Sequence, residues 1–295
     1  MASTPPPRAN GAVPKVQRIK ERRETDPVLD SQRAFQHQTS MRERRSLGTI
    51  TRLLCTAAAL LAPVTGYANP TCPADPAMDK LNLPHFHAAL ANRSQGVIVA
   101  LGSSSTAGAM AADSAHTYPA ILQRELSNAL PNAHIAVINR GIGGQDAPEE
   151  LARLGTDVIA LHPQLVIWQV GANGAMRHAD PGTFHHMVEE GVKRLLKANI
   201  DVVLMDNQRS PRVLAAADHI ILEEALAHVA RETGANLFSR SHLMDFWSDQ
   251  GAKPSQFIAS DGLHQNDLGY LCVTQSLGRL IVSAVNAPVT VSASR

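Results

Sequence analysis

The sequence predicts an α/β fold, a five-stranded parallel sheet inside a three-layer α/β/α sandwich, and three observations carry the prediction. Short apolar runs alternate about five times with segments of helical periodicity, the pattern of βα units. The runs are apolar almost throughout and rich in β-branched residues, as strands covered on both faces require. No linker long enough to divide residues 70 to 290 interrupts them, so right-handed crossovers build one domain.

Val97 to Leu101 form the first strand, ended by Gly102 and followed at once by Ser103, Ser104, Ser105 and Thr106. From Thr117, YPAILQRELSNAL carries Pro119 in its first turn and Ile121, Leu122, Leu126 and Leu130 on one face, an amphipathic helix. His134 to Ile138 is the second strand, Asn139 to Pro148 its glycine-rich exit, and Glu149 to Leu161 the next helix. Gln164 to Val170 is the third strand, with Gly171 to Arg177 as its exit and a helix from Thr183 to Ala198 behind it. Asp201 to Met205 is the fourth, leading to a helix over Ala215 to Thr233; Asn236 to Phe238 is a short fifth. A short helix over Ser241 to Asp249, the loop GAKPSQFIASDGLH and a closing helix from Gln265 to Val285 complete the domain, which is assigned residues 69–295.

The amino-terminal residues read differently. Residues 1–40 lack apolar periodicity and are expected to be a disordered extension. Arg42, Arg44, Arg45 and Arg52 then flank an apolar run from Leu53 to Val64, with Gly66, Tyr67 and Ala68 as a small-x-small cleavage pattern. Residues 41–68 are therefore expected to be a signal peptide, Met41 the start of translation, and the mature protein exported to the periplasm or beyond, with no stable membrane insertion. The apolar run falls short of the roughly twenty residues a bilayer span needs, so a retained membrane anchor is the weaker alternative. Residues 1 to 68 hold eleven Lys/Arg against five Asp/Glu, leaving sixteen against twenty-one in the remainder. A mildly acidic domain argues against a nucleic-acid partner. Cys55 leaves with the signal, so Cys72 and Cys272 remain, either paired as a disulfide or as two separate buried thiols.

In a parallel sheet the exits of the first three strands share one edge, and each carries small residues with a polar group. Asp261 and His264, before the last helix, stand three apart, so the carboxylate reaches the imidazole. An Asp on one ring nitrogen fixes the tautomer that lets the other accept a proton from a serine. No GxGxxG opens the first helix and GSSSTAG lacks a following GK, so a phosphate-cradling nucleotide or flavin binder is the weaker class. No cofactor is expected. The remaining histidines, including His85 with His87 and His185 with His186, have no carboxylate or cysteine partner at metal spacing along the chain, and no metal is expected.

With those residues in view, the chain resembles the SGNH hydrolases, also called GDSL-like esterases and lipases, over residues 96 to 285. GSSST at 102–106 is similar to the family's GDSxT block, NRGIGG at 139–144 to its second, GANG at 171–174 to its GxND block and DGLH at 261–264 to its DxxH block. The resemblance implies a flavodoxin-like sandwich with Ser104 as nucleophile, His264 as general base and Asp261 as its partner. It further implies an oxyanion hole from the N–H groups of Ser104 and Gly144 and the amide of Asn173. Ser103 and Gly174 stand where the family has Asp, and Ser103 and Ser105 remain alternative nucleophiles. The expected substrate is a small-molecule or polysaccharide ester, a carbohydrate O-acetyl ester first. A lysophospholipase or thioesterase is the alternative, and a carbohydrate-binding pseudoenzyme another; oligomeric state is left open.

Overall fold

The structure, a computed structural model, describes residues 71–93 and 95–287. The expected extension, the expected signal peptide and Cys55 lie outside these residues.

The first described helix, α1 (Pro84–Arg93), opens on a proline and precedes the first strand, β1 (Gln95–Gly102). A single turn, α2 (Ser104–Ala107), follows directly, then α3 (Tyr118–Ala129), β2 (His134–Gly141), α4 (Ala147–Ala152) and α5 (Leu154–Asp157). The second half runs β3 (Leu165–Gln169), α6 (Ala172–Met176), α7 (Pro181–Lys197), β4 (Asp201–Met205), α8 (Pro211–Leu214) and α9 (His219–Thr233). It ends with β5 (Asn236–Phe238), α10 (Arg240–Asp249) and α11 (Asp267–Asn286). All strand pairs are parallel, in the order β2-β1-β3-β4-β5. Chain direction across the sheet reverses between β1 and β3, and the carboxyl ends of those strands are where such sheets gather ligands.

Side-chain alternation divides the core. Ile98, Ala100, Leu165, Ile167, Val203 and Met205 face the layer of α1, α3, α10 and α11. Val99, Leu101, Val166, Trp168, Val202 and Leu204 face the layer of α4, α5, α7 and α9. Each buried Val, Leu, Ile or Met chain here contributes about 1.5–3 kcal/mol relative to exposure, so a one-residue slip in register would be costly on both faces at once.

Four details differ from the sequence expectation. Phe86, fully buried, makes α1 part of the core, although PHFHAALANR carries too short an apolar stripe to mark a helix unaided. The β2 strand continues past Ile138 to Gly141, with Asn139 and Arg140 paired to Ala100 and Leu101; as an edge strand it tolerates polar side chains that a central one would not. The helix expected over Glu149 to Leu161 breaks into α4, α5 and a 3-10 turn at Ile159–Leu161, because Gly155 and β-branched Thr156, Val158 and Ile159 weaken a continuous helix. The segment after β4 forms α8 first, and α9 begins only at His219.

Cys72 and Cys272 are joined as a disulfide, which settles the alternatives left open above. It ties the segment ahead of α1 to the buried face of α11.

Candidate active site

Where β1 ends, the chain turns through Ser103 into α2. Ser103 N–H and its hydroxyl donate to Gln169 Oε1 at 3.2 and 3.1 Å, and Thr106 Oγ1 donates to the same oxygen at 3.2 Å. Gln169 is the last residue of β3, so one amide oxygen from the neighbouring strand gathers three donors and fixes the turn. Ser103 and Ser105 are buried by this arrangement, 4% and 2% exposed, whereas Ser104 is half-buried and open to a reactant. The hydroxyl of Ser103 thus takes a structural role at the position where an Asp was expected from the resemblance. Gly141 makes the seat for α2: a Cβ there would lie 2.1 Å from the backbone nitrogen of Ala107. Asn139 adds a hydrogen bond from its amide nitrogen to Thr106 O at 2.8 Å.

The imidazole arrives from the far end of the chain. A bridge between Ile258 and Gln265 and a bond from Ala259 N to His264 O close the loop that carries it. Within that loop Asp261 Oδ1 accepts the N–H groups of Leu263 and His264, each at 3.0 Å, and Oδ2 lies 2.6 Å from His264 Nδ1. A carboxylate only accepts, so Nδ1 carries the hydrogen and Nε2 is left with its lone pair. That nitrogen is 2.7 Å from Ser104 Oγ. Partial burial works to raise the Asp261 pKa. The bonds from His264 and from the two N–H groups outweigh it and hold the carboxyl below its ordinary value.

Behind the loop, Gln208 Nε2 donates to Leu263 O at 2.9 Å, and fully buried Arg240 donates to Gln208 Oε1 at 2.8 Å and twice to Asp206 O. Arg240 escapes notice in the sequence, since it lies in no motif, and nothing local marks Gln208, in the loop after the fourth strand, as its partner. A buried guanidinium needs several acceptors, and here it ties the β4 exit to the histidine loop.

The second and third strand exits meet beside Ser104. A Cβ on Gly143 would be 3.9 Å from Ser104 Cβ, so the glycine-rich loop passes directly over the serine. Gly144 adopts φ +80°, its carbonyl accepts from Arg177 Nη2 at 2.6 Å, and Gln145 O accepts from Asn173 Nδ2 at 2.7 Å. Among the described residues Asn173 therefore has one amide hydrogen uncommitted. Among the described residues, the backbone N–H groups of Ser104 and Gly144 have no intramolecular acceptor. Arg153 pins the loop from outside, donating to Gln145 Oε1 at 2.6 Å and Gly102 O at 3.1 Å.

Gly174 has a physical explanation. A Cβ at that position would lie 2.8 Å from Asp146 Oδ2, so the carboxylate of the neighbouring loop fills the space beside it. Asp146 is buried, which raises its pKa, and the N–H groups of Ala147 and Gly174 and the charge of Arg177 oppose that rise. A carboxylate absent from the third block lies beside it from the loop that follows the second, an exchange that the linear motif cannot reveal.

Residues 70–287 match the non-GDSL lipase-like family. The chain belongs to that family. Ser103, where a GDS motif has Asp, is in keeping with that family. As a lipase-like protein it is a serine hydrolase in the class acting on ester bonds. No curated protein matches the chain. Among solved structures, a G-D-S-L family protein from Desulfitobacterium hafniense DCB-2 superposes with TM-score 0.53 at 20% identity, covering 63% of this chain and 99% of that one. The acetylxylan esterase Axe2 of Geobacillus stearothermophilus gives TM-score 0.52 at 17% identity over 65% and 95%. A two-domain esterase active on acetylated mannans gives TM-score 0.59 at 21% identity, covering 71% of this family member and 56% of the esterase. At these identities the likeness is one of fold, and it is the SGNH-type sandwich expected from the sequence.

Proposed function

We propose that the protein is an exported carbohydrate O-acetyl esterase working through an acyl-enzyme. Ser104 Oγ attacks the ester carbonyl carbon while His264 Nε2 takes its proton, and Asp261 stabilises the imidazolium that forms. The oxyanion is met by the N–H groups of Ser104 and Gly144 and by the free amide hydrogen of Asn173. His264 returns its proton to the departing alcohol oxygen, leaving an acyl-serine. Water then attacks that ester, again losing its proton to His264, and the carboxylic acid departs as Ser104 is restored.

The observation that carries this reading is the unbroken line of hydrogen bonds, 2.7 Å from serine to histidine and 2.6 Å from histidine to aspartate. The acetylxylan and acetylated-mannan esterases among similar folds support the carbohydrate ester. The disulfide and the basic-then-apolar segment at 41–68 support export.

A fluorophosphonate probe tests the nucleophile: one adduct is expected on the Ser104 peptide, and a folded protein that stays unlabelled overturns the mechanism. Hydrolysis of p-nitrophenyl esters of graded length beside acetylated xylan and mannan oligosaccharides tests the substrate. Acetate release from the sugars is expected; activity confined to long acyl chains would move the substrate to lipids.

A further inference from the structure

In the layer of α4, α5, α7 and α9, the helices α7 and α9 bring three ligating groups to one point. His185 Nε2 on α7 lies 3.2 Å from His228 Nδ1 and 2.9 Å from Glu232 Oε2 on α9, and the last two are 3.2 Å apart. The sequence reading set His185 aside because nothing beside it in the chain could share a metal. The partners come from another helix, where His228 and Glu232 at i and i+4 present one face.

We propose that His185, His228 and Glu232 form a binding site for a divalent transition-metal ion, zinc above all, that clips α7 to α9. Imidazole nitrogens and a carboxylate oxygen suit Zn²⁺, which binds both at about 2.0–2.2 Å. Tetrahedral geometry at those lengths separates neighbouring ligand atoms by roughly 3.3 Å. The three observed separations fall within a few tenths of an ångström of that value, so rotamer adjustment alone admits the ion.

Two further features favour a cation here. Glu232 sits in the last turn of α9, one residue before its end at Thr233, where the helix dipole already concentrates negative charge and a carboxylate is unfavourable without a positive partner. No arginine or lysine meets it among the described residues; its contacts are the two imidazoles. Lys193, on α7, is held by Glu189 at 2.6 Å. His185 is the least exposed of the three, at 26%, while His228 and Glu232 are open to solvent, so an ion has a route in. Three protein ligands leave a fourth position for water. Binding requires both rings neutral at the ligating nitrogens and releases any proton held there.

The test uses the whole purified protein, stripped with EDTA and then titrated with zinc chloride. Calorimetry is expected to show one site per chain, and thermal unfolding a rise of roughly 5–10 °C when free zinc is a hundredfold above Kd. Cobalt in place of zinc should give the visible bands of a tetrahedral nitrogen and oxygen set. His185→Ala and Glu232→Gln should each abolish all three signals while retaining ester hydrolysis, which reports that they fold. His242→Ala, an exposed histidine on α10, should leave them intact. Absence of a one-to-one site in the wild-type chain, or its survival in the His185 and Glu232 variants, overturns the proposal.

Discussion

Several polar residues around Ser104 have their geometry set by a neighbour from a different loop, and the sharpest case is the pair Asp146 and Gly174. Restoring the family's residue by Gly174→Asp puts a second carboxylate against the first, at a spacing where like charges do not both ionise. The single variant is expected to lose about 1–3 kcal/mol of stability and most of its activity. Adding Asp146→Ala should recover part of both, read by urea unfolding and by kcat; failure of the pair to recover would mean that the two carboxylates are not interchangeable. Asn173→Ala, which removes the uncommitted amide hydrogen together with the bond to Gln145 O, is expected to lower kcat about 10²–10³-fold with little change in KM. A drop confined to KM would place Asn173 in ground-state binding instead.

At the scale of elements, the site depends on how closely α2 can nest against the end of β2. Gly141→Ala drives a Cβ into the backbone of Ala107, and neither partner is a flexible side-chain end. We expect a loss of about 1–3 kcal/mol and a loss of phosphonate labelling at Ser104 that exceeds what the stability change alone predicts. Unchanged labelling kinetics would show that α2 can shift without moving the nucleophile. This contact also marks the limit of what could be read in advance. The five strands and their order of appearance follow from runs such as Val97 to Leu101, and the pairing of Asp261 with His264 from the DGLH spacing, all local in the chain, while the choice of Ser104 among its neighbours rests on the resemblance. Gly141, Gln169, Gln208 and Arg240 act through neighbours 32 to 66 residues away or through close backbone approach, and no window of sequence contains both partners. The break between α4 and α5 is local in origin, at Gly155 and the β-branched residues after it, whereas the bond of Arg153 to Gly102, 51 residues away, is hidden in the same way as those contacts.

For the molecule as a whole, several buried carboxyl groups bind protons more tightly when folded than when unfolded. Burial pushes Glu150 up to about 8; Asp146 and Glu149 add to the rise, and Arg153 and the indole N–H of Trp168, 2.7 Å away, oppose it. Burial also lifts Asp201 to about 6, against the N–H of Phe86 and the charge of His85. A raised folded pKa means that the group's contribution is complete below its unfolded value and is lost as pH climbs through the folded one, by at most about 1.4 kcal/mol per pH unit for each group. Tm is therefore expected to fall between pH 5 and pH 8, and Glu150→Gln to flatten the decline. A wild-type Tm that rises over this interval would contradict the assignment. Removing the disulfide by Cys72→Ser with Cys272→Ser is expected to cost roughly 2–5 kcal/mol, measured by chemical unfolding against the same protein oxidised.

The same cross-link has a topological consequence. Residues 104, 261 and 264 all fall between positions 72 and 272, so the three side chains sit on one closed covalent ring. A single protease nick in any surface loop of that ring opens it into a linear thread without releasing a fragment. The clipped molecule would migrate whole on a gel until a reductant is added, and it could keep hydrolysing esters with its serine and histidine on separate pieces.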